Sequence, residues 1–226
     1  MQQQGFDFAY DKKLYDRLRE GHARPVREHL RGDMGYQDKL ARFLENHDEP
    51  RAARTFDPAA HRAAALITFL SPGLRFFHQG QFEGRQKRIS PHLVRAPEEA
   101  VDRALQEFYG RLLSVLHSPA VREGQWRLLD CRSSWKGNGT WDGFVAFAWE
   151  RGPDETFLVT VNDASQPGQC YVSLPFDLKV GQTVRFQDWM SPVFYDRPGE
   201  DLLSRGLFLD LPPWGFHVFE LTHQKG

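Results

Sequence analysis

Apolar residues in the first half of the chain come in short runs, and most runs are followed by a stretch in which they recur every three or four positions. GFDFAY (5–10) is rich in aromatic residues and leads directly into DKKLYDRLREG, where Asp11 can cap a helix carrying Leu14 and Leu18 at a four-residue spacing. A Pro-started turn at Pro25-Val26-Arg27 and a glycine-bounded loop from Gly32 to Gly35 separate this unit from LARFLENHD (40–48), the second strand. DPAAHRAAALITFL (57–70) reads as a helix, with Asp57 at the N-cap and Pro58 at the first position, where a missing N–H costs nothing; Ser71-Pro72-Gly73 stops it. LRFFHQG (74–80) is a third strand. After a polar loop, PEEAVDRALQEFYGRLLSVL (97–116) sets Val101, Ala104, Leu105, Phe108, Leu112 and Leu116 on one face of a helix. This alternation predicts parallel strands covered by helices, an α/β class.

After Pro119 the helical period fades, and apolar runs are separated by Gly, Pro, Asn and Asp. The runs QWRLLDC (125–131), FVAFAW (144–149), TFLVTVN (156–162), QCYVSL (169–174), TVRFQDW (183–189), GLFLDL (206–211) and GFHVFEL (215–221) predict strands. Turns such as Lys136-Gly137-Asn138-Gly139 hold residues that tolerate positive φ. The expectation is an antiparallel β-sandwich over residues 121–226, packed against an α/β part over 1–120.

Composition narrows the partners. The 226 residues are 40% hydrophobic, enough for a sizeable core, and 29 Lys and Arg balance 30 Asp and Glu. No charge excess steers the chain toward nucleic acid or an anionic membrane, so a neutral partner is expected. Cys131 and Cys170 read as free thiols, because a secreted disulfide scaffold would use more cysteines. Met1-Gln2-Gln3-Gln4 lacks the features of a secretory signal, and no apolar run reaches the ~20 residues of a membrane helix. A soluble, cytoplasmic chain without cofactor or resident metal is the expectation.

Asn46-His47-Asp48 stands where the second strand ends. Loops at the C-terminal ends of parallel strands converge on one pocket, and a carboxylate beside an imidazole there can act as a base, a metal ligand or a clamp on hydroxyl groups. Asp48 could equally cap the turn at Glu49-Pro50. Arg51 could pair with Asp48, reach a ligand, or simply begin a helix on the surface. Gln79, Gln81 and Phe82 could line the same pocket or pack within their loop. Of the six tryptophans, Trp135 and Trp141 flank the glycine-rich turn and are the ones expected at the surface, where a sugar ring could stack.

The run Phe43-Leu44-Glu45-Asn46-His47-Asp48 resembles the fourth signature region of the α-amylase family of glycoside hydrolases, at the end of the seventh strand of its barrel. ALITFLSPGLRFFHQGQFEG (65–84) is similar to that family's seventh helix, eighth strand and following loop, and the strands closing with PPWGFHVFEL (212–221) resemble its C-terminal β-sandwich, domain C. The resemblance covers nearly the whole chain in order. It implies the last three strand–helix units of a (β/α)8 TIM barrel followed by that sandwich, with Met1–Gln4 as the tail of the preceding helix. It implies retaining chemistry on α-glucosidic bonds of an α-glucan or α-glucoside, with Asp48 stabilising the transition state and Asn46, His47, Arg51, Gln79 and Phe82 contacting sugar. The family's nucleophile is an Asp on the fourth barrel strand, within a Gly-x-Arg-x-Asp pattern, and its acid/base is a Glu on the fifth; no Gly-x-Arg-x-Asp occurs in these residues, and Asp7 stands where the pattern needs Arg. Two consequences follow as expectations: no hydrolysis by these residues alone, and self-association through open barrel edges. The alternatives are a non-catalytic amylase-like scaffold or carbohydrate-binding module, and a small complete hydrolase pairing Asp48 with another acid such as Asp11.

Overall fold

The computed structural model describes residues 5–90, 92, 94–152 and 155–224, so the helix tail expected at Met1–Gln4 lies outside the described residues. The first half holds a small parallel sheet of β1 (Ala9–Tyr10), β2 (Leu40–Arg42) and β3 (Leu74–Arg75), with β2 in the middle. All three strands are shorter than their apolar runs. Residues 5–8 stay outside the ladder; Ala9 is the first to bond across, donating to the Lys39 carbonyl at 3.0 Å. Gly73, at φ 109°, brings the chain so close to β2 that a Cβ would stand 2.3 Å from the Leu40 carbonyl oxygen.

Helix α1 (Lys12–Glu20) begins as expected, with Asp11 Oδ1 accepting from the Leu14 amide at 3.1 Å, and it ends on Gly21 at φ 70°. The expected turn at Pro25 is instead inside α2 (Ala23–Leu30). Pro25 is the third residue of that helix, in the first turn, where an N–H has no intrahelical acceptor to lose. Val26 and Leu30 bury the helix against the core. The glycine-bounded loop likewise contains a single turn, α3 (Met34–Gln37), capped by Asp33. After α4 (Ala52–Thr55), α5 (Pro58–Leu70) starts at Asp57 and Pro58 as the sequence indicates, though the Asp57 side chain makes no capping bond. Helix α6 runs over Arg103–Leu116 rather than from Pro97, because Asp102 supplies the cap, accepting from the Leu105 amide at 2.9 Å.

Short helices punctuate the second half despite its lack of helical period: α7 (Pro119–Glu123), α8 (Gly199–Arg205) and a 3-10 turn over Thr140–Gly143. Its strands are β4 (Gln125–Leu129), β5 (Cys131–Arg132), β6 (Phe144–Arg151), β7 (Glu155–Asn162), β8 (Gly168–Val172), β9 (Thr183–Asp188), β10 (Phe194–Pro198), β11 (Leu207–Leu211) and β12 (Phe216–Gln224). They form a six-stranded antiparallel sheet in the order β10-β9-β12-β7-β6-β4 and a three-stranded one in the order β11-β8-β5. The run 125–131 is thus split at Asp130, which carries the chain from one sheet to the other. Strand β10, FYDRP, escapes sequence reading because its polar residues and terminal Pro suit an edge strand, which is what it is.

The six-stranded sheet is buried on both faces. Along β6, Phe144, Ala146 and Ala148 join the core between the two sheets, while Val145, Phe147 and Trp149 join the core formed with α1, α2, α5 and α6. That explains why FVAFAW is continuously apolar rather than alternating. The halves are also tied by hydrogen bonds. The Trp149 indole donates to the Leu70 carbonyl at 2.7 Å, satisfying one of the four carbonyls left over at the end of α5. The Arg111 guanidinium donates to Met190 O at 2.7 Å, and Arg27 donates to Phe144 O at 2.5 Å. Replacing Trp149 by Phe keeps most of the packing but orphans the buried carbonyl; urea unfolding is expected to show a loss of ~1–3 kcal/mol. Cys131 and Cys170 are free and buried. Among the described residues, no helix is long and apolar enough to cross a membrane.

Candidate active site

The three parallel strands deliver three loops to their C-terminal side. The loop after β2 is built around Glu45, whose carboxylate is buried and doubly held: Oε1 accepts from Arg51 Nη1 at 2.5 Å and Oε2 from the Ala52 amide at 2.7 Å. Arg51, only 2% exposed, does not meet Asp48, nor does it lie on the surface. Its guanidinium reaches past Glu45 to the loop after β3, donating to Gln79 O at 2.8 Å and lying 3.0 Å from His78 Nδ1; its Nε bonds Lys87 O at 3.2 Å. One guanidinium therefore joins three stretches of backbone, a task suited to its rigid fork of donors.

Between those anchors the chain turns over Asn46. The Asn46 side chain is buried, and its Oδ1 accepts from the amides of Asp48 at 2.8 Å and Glu49 at 2.9 Å, an Asx turn. The geometry turns the next two side chains outward: His47 is 55% and Asp48 74% exposed, with His47 Nε2 3.2 Å from Asp48 Oδ2. Arg88 donates to the His47 carbonyl at 3.1 Å, bracing the turn from outside. Gln79 is exposed and contributes its carbonyl to Arg51. Phe82 is half-buried, with its ring 5.1 Å from both Phe77 and Tyr109, and so belongs to the aromatic core. Gln81 is buried, donating to the Tyr109 hydroxyl at 2.8 Å.

The neighbouring acids are engaged. Asp11, at the end of β1, is buried against Arg42 and 2.9 Å from His29 Nε2. Burial opposes its charge, but the His29 hydrogen bond and the Arg42 guanidinium outweigh that and hold its pKa below the usual carboxylate range. Arg42 is fully buried and also donates to Pro72 O at 2.7 Å and to Gln37 Oε1. Glu49 lies 3.3 Å from Lys12 Nζ. Asp11 therefore cannot be the exposed second carboxylate of a small complete hydrolase. Among the described residues there is no group of three His, Cys, Asp or Glu arranged to hold a metal ion.

Trp135 is exposed, whereas Trp141, expected beside it at the surface, is half-buried against the sandwich core under the Arg27 guanidinium. Glu45 and Arg51 are the residues whose partnership sequence reasoning did not find. Six positions separate them across a turn, a spacing that belongs to neither a helix nor a strand face.

An incomplete α/β barrel joined to a β-sandwich, with a polar turn at the strands' C-terminal side, is a defined architecture. It is the fold of roughly half of an α-amylase chain. The maltogenic α-amylase AmyB of Thermotoga neapolitana superposes with a TM-score of 0.77 at 15% identity, over 97% of this chain and 52% of that one. The α-amylase of Geobacillus thermoleovorans, solved with acarbose, gives 0.71 at 19% identity over 97% and 49%. The debranching enzyme of Nostoc punctiforme gives 0.64 at 15% identity over 95% and 46%. The chain spans about half the length of the solved structures it matches. No protein-family model and no curated protein matches the sequence.

Proposed function

We propose that these residues are the C-terminal portion of an α-amylase-family glycoside hydrolase, acting on α-glucosidic bonds of oligo- or polysaccharides by a retaining mechanism. The observation that carries the reading is Asp48: an exposed carboxylate, held outward by a buried Glu45–Arg51 anchor at the C-terminal end of parallel strands. Retaining hydrolysis needs two carboxylates about 5 Å apart, one to attack the anomeric carbon and one to move the proton. Asp48 has no free acid beside it in its own loop, so its role is to accept hydrogen bonds from sugar hydroxyls and stabilise positive charge developing on the ring. His47 donates to an adjacent hydroxyl, while Asn46 and Arg51 set the turn that presents both. Gln79 and Phe82 shape the adjoining loop. Nucleophile and acid/base come from strands outside these residues.

Two measurements test this. The purified chain is expected to show no turnover of starch or maltose. It should bind acarbose weakly, with Asp48→Asn reducing affinity on the order of tenfold or more, the worth of a charge-assisted hydrogen bond. The substitution should leave stability within about 0.5 kcal/mol, because the side chain is exposed. Turnover by the parent chain that Asp48→Asn abolishes would refute the division of labour.

The same reading predicts association. Among the described residues strands β1 and β3 each pair on one side only, and Tyr10 on β1, Leu74 on β3 and Phe6 and Phe8 just before β1 are exposed. Such open edges and apolar side chains recruit another chain. Gel filtration is expected to show concentration-dependent self-association, and a compact monomer at every concentration would refute it.

A further inference from the structure

Strand β5 is two residues long and, among the described residues, pairs with β8 alone at the edge of the three-stranded sheet. The register sets Cys131 opposite Val172, so Cys170, two positions earlier on β8, is its diagonal neighbour on the same face of the sheet. Both side chains belong to the core between the two sheets, together with Phe144 and Ala146. The sequence holds two cysteines in all, and the fold brings their thiols into direct interaction. The hydrogen bond with Cys131, added to burial, pushes the Cys170 thiol up, so Cys170 is the sulfur that keeps its proton.

The two sulfurs differ in access. Cys170 has 0% of its surface exposed, whereas Cys131 is 8% exposed and lines an open cleft of ≈ 520 Å³ between α2 and the corner at Asp130. Arg24, Arg27 and Arg31 line that cleft beside Glu28, Asp130 and Asp142, so the charges of the two signs balance and neither anions nor cations are favoured there. An uncharged small molecule in the cleft meets Cys131 and not Cys170.

Diagonal neighbours on an antiparallel pair stand ~7–8 Å apart between Cα atoms, and a disulfide spans up to about 7 Å. Closure therefore asks β5 to approach β8 by about 1 Å. An edge strand of two residues, with no described strand on its outer side, can make that shift. We propose that Cys131 and Cys170 form a thiol-modification site, at which a small uncharged disulfide is reduced and the two cysteines become linked. The Cys131 sulfur, as thiolate, attacks one sulfur of the incoming disulfide; that S–S bond breaks, and the departing half takes up the proton Cys131 gave away. The Cys170 sulfur then attacks the Cys131 sulfur of the mixed disulfide and expels the second half, which leaves with the Cys170 proton. Two cysteines are oxidised and one external disulfide is reduced to two thiols. The link closes the loop from β5 to β8 in the unfolded chain, so the oxidised chain resists unfolding.

The test incubates the folded full chain with hydroxyethyl disulfide, traps residual thiols by alkylation and reads the intact mass. The parent is expected to lose two hydrogens, with proteolytic fragments joined through Cys131 and Cys170, and its urea midpoint should rise and then fall back when dithiothreitol is added. Cys170→Ala should stop at a mixed disulfide on Cys131. Cys131→Ala should react at least ~tenfold more slowly, because its remaining thiol is shielded; circular dichroism confirms that both variants fold, and the parent measurement needs neither. A parent that does not react, that stops at a mixed disulfide, or that forms the link only in unfolding urea would overturn the proposal, as would a Cys131→Ala variant that reacts as fast as Cys170→Ala.

Discussion

Replacing Arg51 by Ala is expected to lower the unfolding free energy by roughly 3–5 kcal/mol, the cost of leaving a buried carboxylate without its counter-charge. Glu45 would keep only the Ala52 amide and its contact with His78, 3.3 Å away. The carbonyls of Gln79 and Lys87 would lose their donor as well. Arg51→Lys should recover little, because a single ammonium cannot reach Glu45, Gln79 and Lys87 together. Urea unfolding of both variants measures this, and Glu45→Gln in combination with Arg51→Ala should cost much less than the two single changes summed. Should Arg51→Ala unfold like the parent yet lose acarbose binding, Arg51 would be a sugar ligand rather than the anchor of the turn.

The second large effect concerns Asp163, just beyond β7. Its side chain is buried, Oδ2 has no partner among the described residues, and burial pushes its pKa up to about 7, with Arg27 pulling partly the other way. An unfolded Asp titrates near 3.9. Between about pH 4 and about pH 7 the folded chain therefore holds a proton that the unfolded chain has released, and stability falls as pH rises, by up to about 1.4 kcal/mol per unit. Above that window the loss is complete. Asp163→Asn copies the protonated acid, so the variant should match its parent near pH 4 and exceed it by several kcal/mol near pH 8. The quantity to measure is the difference between the two urea unfolding energies across pH; a difference that does not change with pH would exclude a buried, proton-holding Asp163.

How much of this the sequence announces varies by element. Helix α5 was legible because Asp57, Pro58 and the Ser71-Pro72-Gly73 stop mark both ends. Strand β7 was legible because its apolar run is long and lies next to turn residues. Helix α2 was hidden by Pro25, since a proline in a first helical turn looks the same in sequence as a proline in a bend. The position of Asp48 could be read from the end of β2, but its outward direction depends on the Asn46 turn and the Glu45–Arg51 bond, which only the folded backbone brings together. Gln79 and Phe82 lie in the loop after β3, yet Phe82 turns into the core because Phe77 and Tyr109 offer it aromatic neighbours.

Strand β6 faces Cys170 and Val172 of the three-stranded sheet through one set of side chains and the helices of the barrel part through the other. Neighbouring positions along it consequently answer to different architectures, and a change in side-chain size at Phe147 is felt in the barrel part while one at Ala146 is felt between the sheets. Grafting this sandwich onto another barrel would require the acceptor's helices to reproduce the surface that Val145, Phe147 and Trp149 now rest against, so transplantation is constrained to scaffolds with a matching α2 and α5.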